Sequence, residues 1–413
     1  MLLSLAWRNL WRSKLRSAVI IAAMAVGMIG GIVTDGMMTG MTDQRVDAAI
    51  ANELSNIQIQ NPQFLLNNEI KYLIPGSDTI AKKIRGYREV KGVSSRLECQ
   101  AMASSANAGG GVTVLGVVPG NEVDVSDIHK HIIKGSYLDD KQRIPAVIGK
   151  KLAGKLDLNI NDKIIITLAD TSGTITSGAF IIVGIFKTSN DIFDVANVFV
   201  RKKDLAQLTG LAPQASHRIA IRLKNNAGTE AVISKIKNDF KELINGKLIT
   251  VRGWYEISPL LRSMVEMMNM FSFIFMIIIL VALAFAIVNT MVMSIMERTR
   301  EIGMLIALGL NKRRTFTLIM FETLLLSLTG ALAGLAVSLL IVHHYAVNGF
   351  DLGALGEGLN SIGYSAIIYF RVNTGFYLVT MIMVIFTALV STISPALRAL
   401  KLQPATAIRD NTF

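Results

Sequence analysis

Residue types that support catalysis or metal binding are sparse in this sequence. It contains five histidines: His129, His131, His217, His343 and His344. They form no H-E-x-x-H motif, and nearby carboxylates complete no metal-ligand spacing. The single cysteine, Cys99, permits neither an intramolecular disulfide nor a thiolate cluster. No serine stands in a G-x-S-x-G motif. We therefore expect no enzymatic activity, no metal and no cofactor on this chain.

Lysines that follow glycines raise the question of nucleotide binding. A phosphate loop of the form G-x-x-x-x-G-K-[ST] holds phosphates with backbone N–H groups and a lysine. The pairs at 149–150 and 154–155 lack the upstream glycine spacing. The sequence therefore predicts no ATP site of this kind on this chain.

One densely charged segment interrupts the apolar C-terminal third. Residues 296–314 read M-E-R-T-R-E-I-G-M-L-I-A-L-G-L-N-K-R-R. The pattern predicts a short helix that projects the charges of Glu297, Arg298 and Glu301, with Gly303 small enough for a partner surface to approach. The segment could receive force from a partner, or it could be an ordinary basic loop with an interfacial helix. Composition alone leaves both interpretations open.

Four apolar segments are long enough to cross a membrane core of ~30 Å. They are predicted at residues 17–41, 271–295, 316–342 and 375–397. Only 17% of the residues are charged, against about 25% in soluble domains. The first run exceeds the 7–15 apolar residues of a secretory signal, so we interpret it as an uncleaved anchor.

Several residues inside the spans invite interpretation. Asp35 falls near the outer end of the first span, where we expect it to reach water without a further role. Glu322 lies close to the basic start of the third span, so we expect its carboxylate to snorkel to the interface. The first span also contains glycines that could permit close helix contact: Gly27, Gly30, Gly31 and Gly36.

The N-terminal segment 1–16 is typical of a helix that lies in the membrane interface. Trp7 and Trp11 share one face at helical spacing, while Arg8 and Arg12 lie towards the other. Tryptophan favours the headgroup level, and arginine binds the headgroups. We therefore predict four membrane anchors in this segment.

The distribution of basic residues predicts how the chain is oriented in the membrane. Segments 1–16, 297–314 and 398–413 hold 12 basic and 3 acidic residues, most of the chain's net charge of +12. All three fall on one side only if there are four spans, and the positive-inside rule makes that side cytoplasmic. Both termini are then cytoplasmic, and the charge indicates lipid headgroups rather than nucleic acid. The third span would begin with headgroup anchors: Lys312, Arg313 and Arg314.

Residues 42–263 have the composition of a soluble α/β domain. Strand and helix patterns predict one α/β subdomain made of residues 45–120 and 214–258, with a β-rich insertion at 121–213. This domain and the loop 343–374 would face the periplasm or the cell exterior.

Residues 297–309, E-R-T-R-E-I-G-M-L-I-A-L-G, resemble the coupling segment of FtsX-like ABC permeases, the superfamily that includes MacB and the lipoprotein-releasing LolC and LolE. Ile306 stands where many members carry Arg or Lys, which would change a polar contact with the ATPase. The N-terminus and the order of one span, a large domain and three spans also resemble the family. The residues that match the coupling pattern are Glu297, Arg298, Glu301, Ile302, Gly303, Ala307, Leu308 and Gly309.

The resemblance implies an α-helical membrane protein with four transmembrane helices and a large extracytoplasmic α+β domain, which combines a porter-like α/β subdomain with a β-rich, sabre-like insertion. It implies the permease subunit of a type VII, or mechanotransmission, ABC transporter in the inner membrane. A separate cytoplasmic ATPase would bind ATP and Mg²⁺ and dock on residues 296–314. A second permease copy would pair through the spans, and ATP-driven closure would move the outside domains.

The size of the chain and the lack of a fused ATPase favour the LolC and LolE type over MacB. The expected cargo is a lipoprotein or a hydrophobic or peptidic substrate, with a periplasmic adaptor as a further partner. The alternative is an FtsX-like signalling subunit that activates a cell-wall hydrolase, although cell-division FtsX proteins carry a smaller outside domain. A membrane-anchored enzyme is a third hypothesis, and it lacks a catalytic constellation.

Overall fold

The computed structural model describes residues 14–307, 311–353 and 356–400; within these ranges it leaves out the side chains of Arg16, Ile302, Leu305, Ile306, Ala307 and Glu357. The chain divides into two compact units. We call the first, with residues up to 43, 265–351 and from 367, the membrane unit. The second, with residues 44–264 and 352–366, is the domain unit.

The helices and strands follow one another as a long helix, a mixed domain and three further long helices. The helices are α1 (Lys14–Ala49), α2 (Pro62–Asn67), α3 (Ser77–Arg85), α4 (Pro119–Glu122), α5 (Lys150–Leu156), α6 (Asp191–Ala196), α7 (Lys202–Thr209), α8 (Thr229–Asp239), α9 (Lys241–Asn245), α10 (Trp254–Ile257), α11 (Pro259–Glu297), α12 (Thr299–Ala307), α13 (Lys312–Asn348), α14 (Gly356–Ser361) and α15 (Thr374–Ala399). The strands are β1 (Ile57–Gln60), β2 (Val90–Ser104), β3 (Gly109–Val117), β4 (Ile132–Gly135), β5 (Pro145–Gly149), β6 (Lys163–Ala169), β7 (Ile175–Phe186), β8 (Asn197–Arg201), β9 (Arg218–Leu223), β10 (Thr250–Gly253), β11 (Phe350–Asp351) and β12 (Ile367–Ile368). A π-helical turn, Ile50–Leu54, follows α1, and 3-10 turns cover Ile128–His131 and Asn226–Gly228.

Among the residues that the structure describes, four helices, α1, α11, α13 and α15, are long and apolar enough to cross a membrane. Together with the α/β domain they confirm the predicted fold class. All four run past the predicted span limits. The extension is largest where α1 reaches Ala49, α11 begins at Pro259 and α13 reaches Asn348, and α15 is longer by only a residue or two at each end. The helical backbone continues there because its hydrogen bonds are internal, whereas apolarity alone marks the bilayer.

Two glycines of α13 allow it to lie directly against α1. A Cβ atom added to Gly330 would lie 2.5 Å from the Cβ of Met24, and one added to Gly334 would lie 2.7 Å from the Cβ of Met28. The G-x-x-x-G spacing places both glycines on one face of α13. The two backbones therefore approach more closely than any larger residue would permit.

The glycines of α1 have two kinds of neighbour. Gly27, Gly30 and Gly31 lie against side chains of α11. The carbonyl oxygen of Gly36 instead accepts a hydrogen bond of 3.0 Å from the N–H of Arg371, in the extended segment before α15. Close helix contact thus holds for the first three, and the fourth makes room for a non-helical segment.

Asp35 does not behave as the sequence suggested. Its side chain is nine-tenths buried, and one of its carboxylate oxygens accepts a hydrogen bond of 2.8 Å from the hydroxyl of Ser272 in α11. The expectation that it simply reaches water is therefore wrong. The bond joins α1 to α11 because a buried carboxylate requires a donor.

The domain unit contains one ten-stranded sheet in the order β10-β1-β9-β2-β3-β8-β5-β7-β4, with β6 paired to β2 and β7. Pairs β3–β8 and β5–β7 are parallel, and the other pairs are antiparallel. The first half of β2 pairs with β9, and its second half pairs with β3 and β6. This one strand therefore runs through both subdomains.

The two halves of β2 belong to different cores. Val90 and Val93 pack with β1, β9, α3 and α8, whereas Leu97 and Cys99 pack with the strands and helices of the insertion. Residues 97–117, which the sequence assigned to the α/β subdomain, thus share the insertion's core. The pattern of a single continuous strand gives no sign of this division.

A buried ion pair lies where β2 passes from one core to the other. The guanidinium of Arg96 donates to both carboxylate oxygens of Glu122, at 2.6 and 3.1 Å, and the hydroxyl of Ser94 donates to Glu122 at 2.6 Å. Glu122 has no exposed surface. Each charge therefore depends on the other for compensation.

We predict that Arg96→Met lowers the free energy of unfolding of the domain unit by about 3–5 kcal/mol, because it leaves the Glu122 carboxylate buried without a cation. The double variant Arg96→Met/Glu122→Leu should recover most of this loss. Denaturant titration of the purified chain, followed by circular dichroism, measures both. Asp140→Asn is the control, since it removes an exposed pair with Lys203 and should cost less than about 1 kcal/mol.

We predict that Gly334→Leu loosens the contact between α1 and α13 and costs about 1–3 kcal/mol through overpacking. Ala333→Leu is the matched control, because Ala333 lies on the exposed side of the same helix. Thermal unfolding of both variants in detergent checks the difference. Equal melting temperatures for the two variants would contradict the close approach.

Candidate coupling site

The charged segment forms the junction of α11, α12 and α13. A single residue, Arg298, separates α11 from α12, and its N–H donates to the carbonyl oxygen of Ile295 at 3.2 Å. The hydroxyl of Thr299 donates to the carbonyl oxygen of Met296 at 2.7 Å. The side chain of Asn311 accepts from the N–H of Arg313 at 3.3 Å and caps α13. These bonds fix the turn from α11 into α12 and the start of α13.

Arg298 joins the three helices at this junction. One of its guanidinium nitrogens lies 2.9 and 3.0 Å from the two carboxylate oxygens of Glu322 in α13. Its Nε donates to Glu301 of α12 at 3.2 Å. Charge-assisted bonds of this kind are stronger than neutral ones. One side chain therefore connects α12 to α13.

Glu322 corrects a sequence-based expectation. It is 9% exposed and binds Arg298, so the prediction that it snorkels to the interface is wrong. It lies more than two turns into α13, so the protein must compensate its charge internally. The signal was present in the sequence, since a carboxylate inside a span requires a partner, but the partner could not be identified from spacing.

A narrow crevice of about 30 Å³ lies between the ends of these helices. Apart from the three ionic groups, the residues that line it are mostly apolar, including Met291, Ile295, Leu318 and Ile319. The side chain of Glu322 is only 12% exposed, whereas those of Arg298 and Glu301 are 21% and 34% exposed. The burial of this carboxylate raises the cost of removing its partner. Among the described residues, the junction is thus a small crevice closed around an ionic cluster.

The remaining residues predicted for coupling and anchoring lie in different environments. Glu297 is exposed at the end of α11, whereas Gly303 is buried and faces the protein, although we expected a partner to approach it. Lys312, Arg313 and Arg314 are exposed at the start of α13. Ile302 and Ala307 lie in α12, but their side chains are outside the description. The other predicted residues lie outside the described ranges: Leu308, Gly309, Trp7, Arg8, Trp11 and Arg12.

Other reactive groups serve packing. Nδ1 of His217 accepts from the N–H of Glu98, Nε2 lies 2.8 Å from the carbonyl oxygen of Ile70, and the ring stacks on Phe64. Burial raises the pKa of the Cys99 thiol to about 12, so it stays protonated. Among residues 14–307, 311–353 and 356–400, no group of three or more His, Cys, Asp or Glu side chains could hold a metal ion.

Two family models match the chain. A model of the MacB-like periplasmic core domain matches residues 17–239, and a model of the FtsX-like permease C-terminal region matches residues 273–404. The second match contains α12 and the residues that Arg298 joins. Between them the two models cover the first span, most of the domain unit and the last three spans.

The chain is also similar to several known proteins. The lipoprotein-releasing system transmembrane protein LolC of Neisseria meningitidis is 26% identical over 327 residues, which are 75% of this chain and 76% of LolC. The macrolide export ATP-binding/permease protein MacB of Syntrophobacter fumaroxidans is 30% identical over 131 residues, which are 30% of this chain and 18% of MacB. The periplasmic region of MacB from Actinobacillus actinomycetemcomitans aligns with a TM-score of 0.36 and 11% identity, over 49% of this chain and 90% of that region.

The family implies a cytoplasmic ATPase partner and a dimer. With four membrane-crossing helices and a periplasmic core domain, the chain belongs to the FtsX-like, MacB-type family and is an ABC transporter permease.

Proposed function

We propose that this chain is the transmembrane subunit of a mechanotransmission ABC transporter. A separate ATPase docks on residues 296–314, and its ATP-driven closure moves the domain unit without passing the substrate through a central pore. ATP and Mg²⁺ are held on the ATPase. The cargo is a lipoprotein or another hydrophobic or peptidic substrate, released or exported on the outer side.

The observation that carries this proposal is the position of Arg298. It is the only residue between α11 and α12, and its guanidinium binds both α12 and α13. The pair with Glu322 is the better buried of the two, and breaking a buried pair costs about 3–5 kcal/mol. The pair with Glu301, whose side chain is 34% exposed, contributes less. A force on α12 is therefore passed to two spans before the pair breaks.

The helices on either side are suited to carry this force. α11 has 39 residues without an internal break, which is roughly 58 Å at 1.5 Å per residue. It begins in the domain unit and ends beside Arg298. A displacement at its cytoplasmic end is therefore delivered along a continuous helix.

The orientation belongs to the same proposal. Both termini and α12 lie in the cytoplasm, where the exposed Lys312, Arg313 and Arg314 bind lipid headgroups. The domain unit lies in the periplasm or outside the cell, where a lipoprotein or an adaptor contacts it. A second permease copy pairs through the spans.

Reconstitution tests the proposed function. The full chain is purified with the ATPase that accompanies it, placed in proteoliposomes with a triacylated lipoprotein, and supplied with ATP. Release of the lipoprotein into the soluble fraction that depends on ATP hydrolysis is the expected result. Absence of a co-purifying ATPase would overturn the proposal, and capture of a cell-wall hydrolase instead of cargo would favour the signalling alternative.

We predict that Glu301→Arg uncouples ATP hydrolysis from release, because it places a cation beside Arg298 and reverses a charge on the docking helix. Lipoprotein release should fall at least tenfold while the spans stay folded. The rate of lipoprotein release by Glu301→Gln should lie between those of Glu301→Arg and the wild type. Full release by Glu301→Arg would show that α12 does not couple.

We predict that Arg298→Met destabilises the membrane unit by about 3–5 kcal/mol, because Glu322 loses its cation inside a span. In Arg298→Met/Glu322→Leu the unfolding temperature should return towards that of the wild type, since no buried charge is left. Release should stay at least tenfold lower in both variants, because the connection between α12 and α13 is absent. Recovery of release together with stability would reduce Arg298 to a structural role.

A further inference from the structure

A second buried ion pair lies at the end of α1, within the domain unit. The guanidinium of Arg45 donates to the two carboxylate oxygens of Glu53 at 2.9 and 3.4 Å. The side chains are only 9% and 14% exposed. Arg45 stands in α1, and Glu53 in the π-helical turn that follows it. The pair therefore fixes the turn to the helix of the first span.

Glu53 also binds the β-rich insertion. One of its oxygens accepts a hydrogen bond of 3.0 Å from the side-chain amide of Asn190. The amide oxygen of Asn190 accepts from the N–H groups of Ile192 and Phe193 and so caps α6. Because Asn190 is buried, losing either bond leaves a polar group without a partner. The position of α6 is thus fixed to the end of α1.

Arg45 contacts a third segment, the loop that joins α13 to α15. Gly363 of this loop has φ of +87°, and a Cβ atom added there would lie 2.7 Å from Nε of Arg45. The guanidinium therefore lies directly against the loop backbone. One ion pair touches the extension of the first span, the insertion and the loop between the third and fourth spans.

Further hydrogen bonds fix the π-helical turn and the end of α1. The carbonyl oxygen of Ala51 accepts from the N–H of Asp127 at 2.9 Å and from the guanidinium of Arg222 at 3.3 Å. Just before the turn, in α1, Asp47 accepts a hydrogen bond of 2.9 Å from the side chain of Asn226. π-helical turns frequently occur at functional sites, and this one binds both subdomains through its carbonyl groups and side chains.

We propose that Arg45, Glu53 and Asn190 form a transmission node, a set of positioning residues that delivers displacement of the first span and of the loop between the third and fourth spans to the β-rich insertion. The inference rests on the proposed function and names the point in the domain unit where the motion arrives. A pair that only stabilised the domain would not need to join segments that lead to three different spans.

Distance measurements test the node. Cysteines replace Val26, exposed on α1, and Ile175, exposed on β7 of the insertion, and carry nitroxide labels. The native Cys99 is 1% exposed and protonated, so it does not compete for the label. Electron–electron double resonance on the full chain with its ATPase, in nanodiscs, then gives the distance distribution with and without ATP.

In the wild type the distribution should be narrow in both nucleotide states, because the insertion moves with α1. In Glu53→Gln it should become at least twofold broader, while ATPase activity stays within twofold and lipoprotein release falls at least tenfold. Glu122→Gln is the matched control: it breaks a buried ion pair that touches neither α1 nor the loop, and it should leave the distribution narrow.

If the distance distribution of Glu53→Gln equals that of the wild type, the proposed node is wrong. It is also wrong if Glu122→Gln broadens the distribution as much as Glu53→Gln does, because the effect would then come from loss of domain stability. If the wild-type complex releases no lipoprotein, the proposed function fails instead. The distance distributions still decide the node in that case, because they require no cargo.

Discussion

A buried charge must be compensated wherever the backbone places it, and the arrangement of this protein depends on that constraint. The carboxylate of Glu322 stands in α13, and the residue is only 9% exposed. Arg298 supplies the opposite charge from the junction of α11 and α12. The three helices are therefore fixed relative to one another by an interaction that is costly to break.

Buried ion pairs also lie at junctions between segments of the domain unit. Arg96 and Glu122 bind where β2 passes between two cores, and Arg45 and Glu53 bind where α1 ends. Buried ion pairs contribute little net stability compared with apolar replacements. Their use at junctions is consistent with a role in fixing geometry, which the proposed transmission of movement would require. Apolar contacts alone would permit sliding, because they have no direction.

Helix contact in the membrane unit follows a different principle. Lipid is as apolar as leucine, so helices gain from close backbone approach rather than from leaving water. Gly330 and Gly334 allow that approach between α13 and α1. The result is a rigid membrane pair beside a junction held by charge. In the proposed function, these helices and the directional ion pairs together pass a displacement of α12 to the domain unit.

The sequence by itself determined the properties that depend on local composition. Run length and apolarity identified four spans, the charged segment indicated α12, and the motif at 297–309 indicated the family. Tertiary structure alone decided which groups meet: Arg298 with Glu322, Arg45 with Glu53, and the division of β2 between two cores. The physical reason is that hydrophobicity and helical periodicity act between near neighbours, whereas the partner of a buried charge is chosen by packing across the fold. A carboxylate within an apolar span, such as Glu322, indicates from the sequence that a partner must exist, but it does not identify that partner.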